Sequence, residues 1–300
     1  MNITADAVKQ LRERTGAGMM ECKRALVETQ GNLDAAAELM RKSGLAKADK
    51  KATRVAAEGT VVTERAGASA VLVEVNCETD FVARSEEFLS FARDVARRAL
   101  ETASTDVNDL LAASGPSTLE EQRRALIAKI GENISVRRFA RIDSPGPLGA
   151  YVHGGRIASL VALKGGDETL AKELAMHVAA ANPAYIDAGG VPPSVLEKER
   201  EILAAQTKDE KKPPEIIAKM VEGRLRKYLA EITLVGQPFV KDEDITVEKL
   251  LKNAGASVVQ FVRYAVGDGI EKKQDDFVGE VMAQVKAQEK SKGDDGPSKH

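Results

Sequence analysis

The sequence predicts an α+β protein: an N-terminal unit of three short helices, two related α+β core subdomains with small antiparallel sheets, a protruding antiparallel helical hairpin and a C-terminal helix. Three observations carry this reading. Aromatics make up 4% of the chain, with no Trp, while Ala and Val abound, a balance that favours helix-rich packing with small sheets over a β sandwich. At Gly59 the apolar period changes from helical to two. The order hairpin, helix, strand then occurs twice along the chain.

Composition bounds the function. With 300 residues, 43% hydrophobic and 30% charged, the chain can bury a sizeable core and divide into two or more compact units. Its 44 basic residues face 46 acidic ones, so there is no global basic field to recruit nucleic acid and no polybasic run for a membrane surface. No apolar stretch reaches membrane length, and the opening segment, polar and acidic within six residues, fits neither a signal peptide nor a transit sequence. Cys22, Cys77 and three histidines suit a reducing interior and are too few for a zinc framework. Cytoplasm is the expected compartment, with no direct nucleic-acid or membrane partner.

Residues 1–44 form the three-helix unit. Val8, Leu11 and Arg12 precede the breaker Thr15-Gly16-Ala17-Gly18, a second helix runs from about Met19 to Gln30, and a third opens with Asn32 as N-cap and stops at Gly44. Ala25, Leu26, Leu33, Ala36, Leu39 and Met40 recur at helical spacing, a core small enough to require tethering to a larger body. The Ala-, Lys- and Arg-rich stretch 45–57 reads as a charged, partly helical linker.

The first half, 58–142, opens with a hairpin turning at Ala66-Gly67, in which Val71, Val73 and Val75 share one face. A helix N-capped by Ser85 buries Phe88, Leu89, Ala92, Val95, Ala96 and Ala99. Residues 102–118 read as a surface excursion, followed by a helix over about 118–132 and the alternating strand ENISVRRFARI. The second half, 143–282, repeats the plan with GAYVHG and RIASLVALKG, the helix LAKELAMHVAAA and the strand ASVVQFVRYA. It carries an insertion at about 194–232 of two charged helices with narrow apolar stripes, the second started by Pro213 and Pro214, a pattern that suits either a hairpin projecting from the body or one packed on its surface. An amphipathic helix over 275–288 and a tail over 289–300, disordered by composition, end the chain.

Catalytic motifs are missing. There is no G-x-x-x-x-G-K-[ST], no G-x-G-x-x-G after a strand, no H-E-x-x-H and no C-x-x-C, so the chain is not expected to hydrolyse a nucleotide or to hold a cofactor or metal. Cys77 with His153 or His177 could form a nucleophile pair, but a Cys ending a valine-rich strand reads as a small core residue, and His177 on an apolar helix as a satisfied core histidine. His153 lies in the turn Val152-His153-Gly154-Gly155, either solvated or touching a partner. Apolar groups recur at turns: Met19 and Met20, Phe81 after Asp80, Ile130 before Gly131, and Phe239-Val240 after Gly-Gln-Pro. Each is either local packing or part of a partner surface.

VKQLRERTGAGMMECKRAL, VNCETDFVAR, LIAKIGENI, YVHGGR, MVEGRLRKY and GQPFV, in this order over nearly the whole chain, resemble the bacterial elongation factor Ts family. The resemblance implies a guanine-nucleotide exchange factor without covalent chemistry of its own. Its partner would be the GTPase elongation factor Tu, in the GDP and nucleotide-free forms. The N-terminal unit would be a ubiquitin-associated-like domain. The resemblance places the exchange region at Thr79, Asp80, Phe81 and Val82, with Phe81 wedging between GTPase helices near the GTPase's magnesium site. It assigns further contacts to Arg12, Met19, Met20, Lys23, Ile130, Gly131, His153 and Val240. It admits dimerisation through the core C subdomain. Lys241 departs from the family pattern, which has an apolar side chain there.

Overall fold

A computed structural model of the protein describes residues 3–113, 115, 117–207 and 213–271. The expected helix at 275–288 and tail at 289–300 lie outside these residues. The chain up to Asp268 is one compact unit. In order it contains the helices α1 (Ala5–Thr15), α2 (Met19–Glu28) and α3 (Leu33–Lys51), then the strands β1 (Glu58–Ala66) and β2 (Ser69–Cys77). There follow α4 (Asp80–Ala83), α5 (Glu86–Glu101), α6 (Val107–Ala112), α7 (Leu119–Ile130), β3 (Ser135–Asp143), β4 (Leu148–His153) and β5 (Ile157–Lys164). The remainder is α8 (Glu168–Ala181), α9 (Pro193–Gln206), α10 (Pro214–Ile232), β6 (Pro238–Phe239), β7 (Asp242–Thr246), α11 (Val247–Asn253) and β8 (Ser257–Ala265).

The N-terminal helices close around Leu11, Cys22, Ala25, Leu26 and Ala36. Asn32 caps α3 by accepting from the N–H groups of Asp34 and Ala35. That helix does not stop at Gly44 as the sequence suggests. It runs on to Lys51, through most of the stretch read as a linker. A Cβ on Gly44 would stand 3.1 Å from the Ala128 side chain of α7. The missing side chain lets the two helices approach closely, and that packing outweighs a glycine penalty of about 1 kcal/mol.

Two three-stranded antiparallel sheets follow, ordered β1-β2-β3 and β4-β5-β8. Alternation sends Val71, Val73 and Val75 of β2 toward α5 and α7, where Phe88, Phe91, Val95 and Ile127 complete one core. The other face of the sheet is buried as well. Val61, Ala70, Leu72 and Ile142 meet Leu148, Ala158, Leu160 and Ala162 of the second sheet, so the two sheets stack face to face. Val161 and Leu163 then point outward to α8 and α11, against Leu174, Val178, Val247 and Leu251. The result is a helix, sheet, sheet, helix layering whose central sandwich the composition did not suggest.

Between the sheets lies one buried carboxylate. Glu74 is fully buried and accepts from Arg137 at 3.0 Å, Arg138 at 2.6 Å and the Gly267 N–H at 2.8 Å. Arg138 also lies 4.1 Å over the ring of Tyr264 in β8. Burial pushes the Glu74 carboxyl up, but the Gly267 amide and the two guanidinium groups together pull it below its ordinary range.

Other local differences have local causes. The hairpin turn is Gly67-Ala68, one residue later than expected, because Ala66 pairs with Ser69. The presumed excursion at 102–118 contains α6, capped by Asp106 and anchored by buried Leu110. The β6–β7 ribbon and α11 were also unforeseen. Helices α9 and α10 run close to the expected insertion, carry an Arg200–Glu222 pair at 3.7 Å, and pack chiefly on each other.

Candidate functional site

Strand β2 ends at Cys77, whose buried thiol donates to the Thr79 carbonyl at 3.2 Å. The next residues are held from outside the sheet. The Glu132 carboxylate accepts from the N–H groups of Glu78 at 3.1 Å and Thr79 at 3.0 Å, and from the Thr79 hydroxyl at 2.7 Å. In return the Asn133 N–H donates to the Glu78 carboxylate at 2.6 Å. The Asn133 side-chain amide donates to the Arg54 carbonyl at 2.7 Å, and Arg54 pairs with Glu78 at 3.4 Å. Lys51, at the end of α3, donates to the Gly131 carbonyl. Gly131, at φ 87°, is the left-handed cap that ends α7 and lets the chain turn into this clasp.

Thr79 is thereby fixed as the N-cap of α4, accepting from the Val82 N–H at 3.3 Å. The one turn it starts separates its side chains cleanly. Val82 packs against the first core, Asp80 pairs with Arg84 at 3.0 Å, and Phe81 stands 84% exposed. A large aromatic held this far into water by a rigid turn is not core packing.

The β4–β5 turn comes to the same place. The Gly155 carbonyl accepts from the Val61 N–H at 2.8 Å and the Thr60 hydroxyl at 3.2 Å, and Arg156 bonds Glu58. A cleft of about 800 Å³ is lined by Asp80, Arg84 and Leu89 on one side and Gly154, Gly155 and Arg156 on the other. His153, exposed at the head of this turn, meets the Tyr151 hydroxyl through Nδ1 at 3.1 Å.

The N-terminal residues singled out by the sequence approach this region through α7. Lys129 lies 3.3 Å from where a Cβ on Gly16 would stand and pairs with Glu87 at 3.0 Å, which sets the 15–18 turn at the end of α7 beside Ile130 and Gly131. Met19 and Met20 are 59% and 68% exposed, with Arg12 and Lys23 also at the surface. Ile130 is half-buried against the first core.

Val240 lies apart, on the α8 side of the second sheet. Its N–H donates to Nδ1 of buried His177 at 3.2 Å, so the proton is on Nε2, which donates to Gln237 Oε1 at 2.9 Å. Burial pushes the His177 pKa down, against the Gln237 bond that raises it. The imidazole thus holds the GQPFV turn and leaves Val240 partly exposed. Lys241, next to it, pairs with Glu173 of α8.

The family model described as Elongation factor TS matches residues 78–268. The chain belongs to the elongation factor Ts family. It is 60% identical to elongation factor Ts of Thioalkalivibrio sulfidiphilus over 95% of this chain and 99% of that protein. It is 58% identical to the factor of Methylococcus capsulatus over 96% of this chain and 100% of the other, and 57% identical to that of Xanthomonas campestris over 95% and 99%. Membership of the elongation factor Ts family makes the protein a factor of translation elongation.

Sequence reasoning missed the residues that hold the site: Lys51, Arg54, Glu78, Glu132 and His177 as a support for Val240. Glu132 and Asn133 follow a helix-ending glycine, a context that reads as solvated surface. Among the described residues no cluster of His, Cys, Asp and Glu is arranged for a metal ion, and no helix is long and apolar enough to cross a membrane.

Proposed function

We propose that the protein is a guanine-nucleotide exchange factor for elongation factor Tu. It binds the GDP form, displaces Mg²⁺ and GDP, and stabilises the nucleotide-free GTPase until GTP binds. The observation that carries this reading is the exposed ring of Phe81 on a turn clasped where it leaves the strand. A GTPase holds GDP through backbone amides, a lysine and Mg²⁺, so faster release requires contacts that are better in the nucleotide-free shape. Equal binding to both shapes would shift nothing. Burying the Phe81 side chain in the partner contributes about 2 kcal/mol by area, and its rigid presentation lowers the ordering cost of binding.

Asp80 sits beside the ring and brings a carboxylate toward the metal-binding side of the GTPase, where it disfavours the bound nucleotide anion. Met19, Met20, Arg12 and Lys23 supply a second grip. Ile130 and Gly131 back the Phe81 turn, and His153 and Val240 extend the contact. The N-terminal helices serve as a ubiquitin-associated-like domain, the two sheets with their helices as the core subdomains, and α9 with α10 as a protruding hairpin. Dimerisation through the core C subdomain remains compatible with this reading. The factor performs no covalent chemistry: the Cys77 thiol, pushed up to about 12 by burial and then by Glu132 and Glu58, is not a nucleophile.

Stopped-flow release of a fluorescent GDP analogue from elongation factor Tu tests the reading. Phe81→Ala should fold normally and accelerate release far less than the parent chain. An unimpaired rate in the folded variant would remove the wedge.

A further inference from the structure

We infer that Glu132 is the positioning residue of the Phe81 turn, and that it acts on exchange only through that turn; this rests on the function proposed above. The carboxylate comes from the loop after α7 and reaches the end of β2, 53 residues away in sequence from Thr79. Its two oxygens take three donors: both backbone amides that precede α4 and the hydroxyl of the residue that caps it. Those amides have no ladder partner, since the pairing of β2 with β1 ends at Cys77 and with β3 at Asn76. Without Glu132 the turn keeps its Thr79 cap, the packing of Val82, the Asp80–Arg84 pair and the bonds of Cys77 and Ser85 to its carbonyls, none of which holds the two amides.

A charged acceptor gathering three donors fixes the direction in which the next residues leave the strand. The Thr79 hydroxyl is used twice, donating to Glu132 and accepting from Val82, so the carboxylate also sets the rotamer that starts the helical turn. The Phe81 side chain, two residues on, is 84% exposed in the free protein. Its direction is inherited from the clasp. The reciprocal bond from Asn133 to Glu78, and from Asn133 to the Arg54 carbonyl, ties the same loop to the segment after α3.

The test uses the full chain with Glu132→Ala and Glu132→Gln, each alone and combined with Phe81→Ala. Amide hydrogen exchange of the free protein is followed at Glu78 and Thr79, and GDP release is measured with elongation factor Tu. In Glu132→Ala the two amides should exchange at least about tenfold faster while amides in α5 and β5 keep their protection, and GDP release should slow about tenfold, the scale of losing hydrogen bonds to a charged acceptor. Glu132→Gln, which keeps an acceptor oxygen, should recover part of both effects. Added to Phe81→Ala, Glu132→Ala should slow release much less than it does alone, since only Asp80 is left on the turn to be misplaced. An equal further loss in that background, or unchanged protection of the two amides, would overturn the assignment. Should Phe81→Ala release GDP normally while Glu132→Ala frees the amides, the wedge itself fails and the clasp is structural only. Protection lost throughout α5 and β5 would likewise overturn it by making Glu132 a residue of the fold at large.

Discussion

The two sheets share one topology and one irregularity, yet use them differently. Each is a hairpin whose second strand pairs with a later one, and in each the ladder slips at the sixth residue of that central strand, at Glu74 in β2 and Ala162 in β5. Ala162 fills its place with a methyl group against the facing sheet. Glu74 puts a carboxylate there and draws in two arginines and a backbone amide from past the end of β8. The strand ends differ too. After β5 the chain passes two glycines and enters α8 directly, whereas after β2 it makes the clasped turn that raises Phe81. A repeated scaffold thus supports both copies, and the exposed ring is an addition at the end of one strand.

The sharpest way to break this comparison is to remove the feature that distinguishes the sheets internally. Glu74→Ala should cost about 3–5 kcal/mol in urea unfolding, because it removes the buried charged acceptor shared by Arg137, Arg138 and the Gly267 amide, leaving the guanidinium groups only their bonds to the Asp268 and Ala265 carbonyls. The same contrast can be drawn between two phenylalanines seven residues apart on the first sheet's helices. Phe88→Ala empties a fully buried site and should cost about 3–5 kcal/mol, while Phe81→Ala should change stability by no more than about 0.5 kcal/mol. If the two variants were equally destabilised, Phe81 would be core after all.

The second sheet offers a pH test. His177 is held neutral, with its pKa lowered from the ordinary 6.5, so the unfolded chain binds the proton more readily than the folded one. Its contribution to stability is therefore complete above about 6.5 and is lost as the pH falls through that value toward the folded pKa. His177→Gln should flatten the stability profile over that acid range, measured by denaturant titration at a series of pH values. Glu74, lowered from 4.5, acts in the same direction at more acid pH, its contribution lost as pH falls below that value. The smallest effect expected is from Lys241→Ala. Its pair with Glu173 is half in water, so the thermal midpoint should move by the equivalent of less than about 1 kcal/mol.

Helices with one apolar face and strands of period two were legible because each local pattern agrees with its tertiary surroundings. Val71, Val73 and Val75 marked a buried face at once, and Ser85 and Asn32 marked helix starts. What stayed hidden depends on partners far along the chain. The second face of β2 includes Glu74 and Asn76, polar residues that carry no local sign of burial, and only the opposing sheet, with Arg137 and Arg138 of β3 beside Glu74, makes it an interior. Gly44 looked like a helix end because nothing nearby reveals Ala128. At the site, Phe81 and Asp80 stood out by residue type and place. Glu132 did not, because its ligands are main-chain amides and the sequence of a main chain carries no mark.

The shared apolar wall of Leu72, Ile142, Leu148 and Leu160 has a bearing on how the molecule could be divided. A cut in the short link between β3 and β4 would leave each fragment with a naked greasy flank, so neither piece should live as a free-standing monomer. Supplied together, they should find one another and rebuild the whole, each shielding the other from self-association.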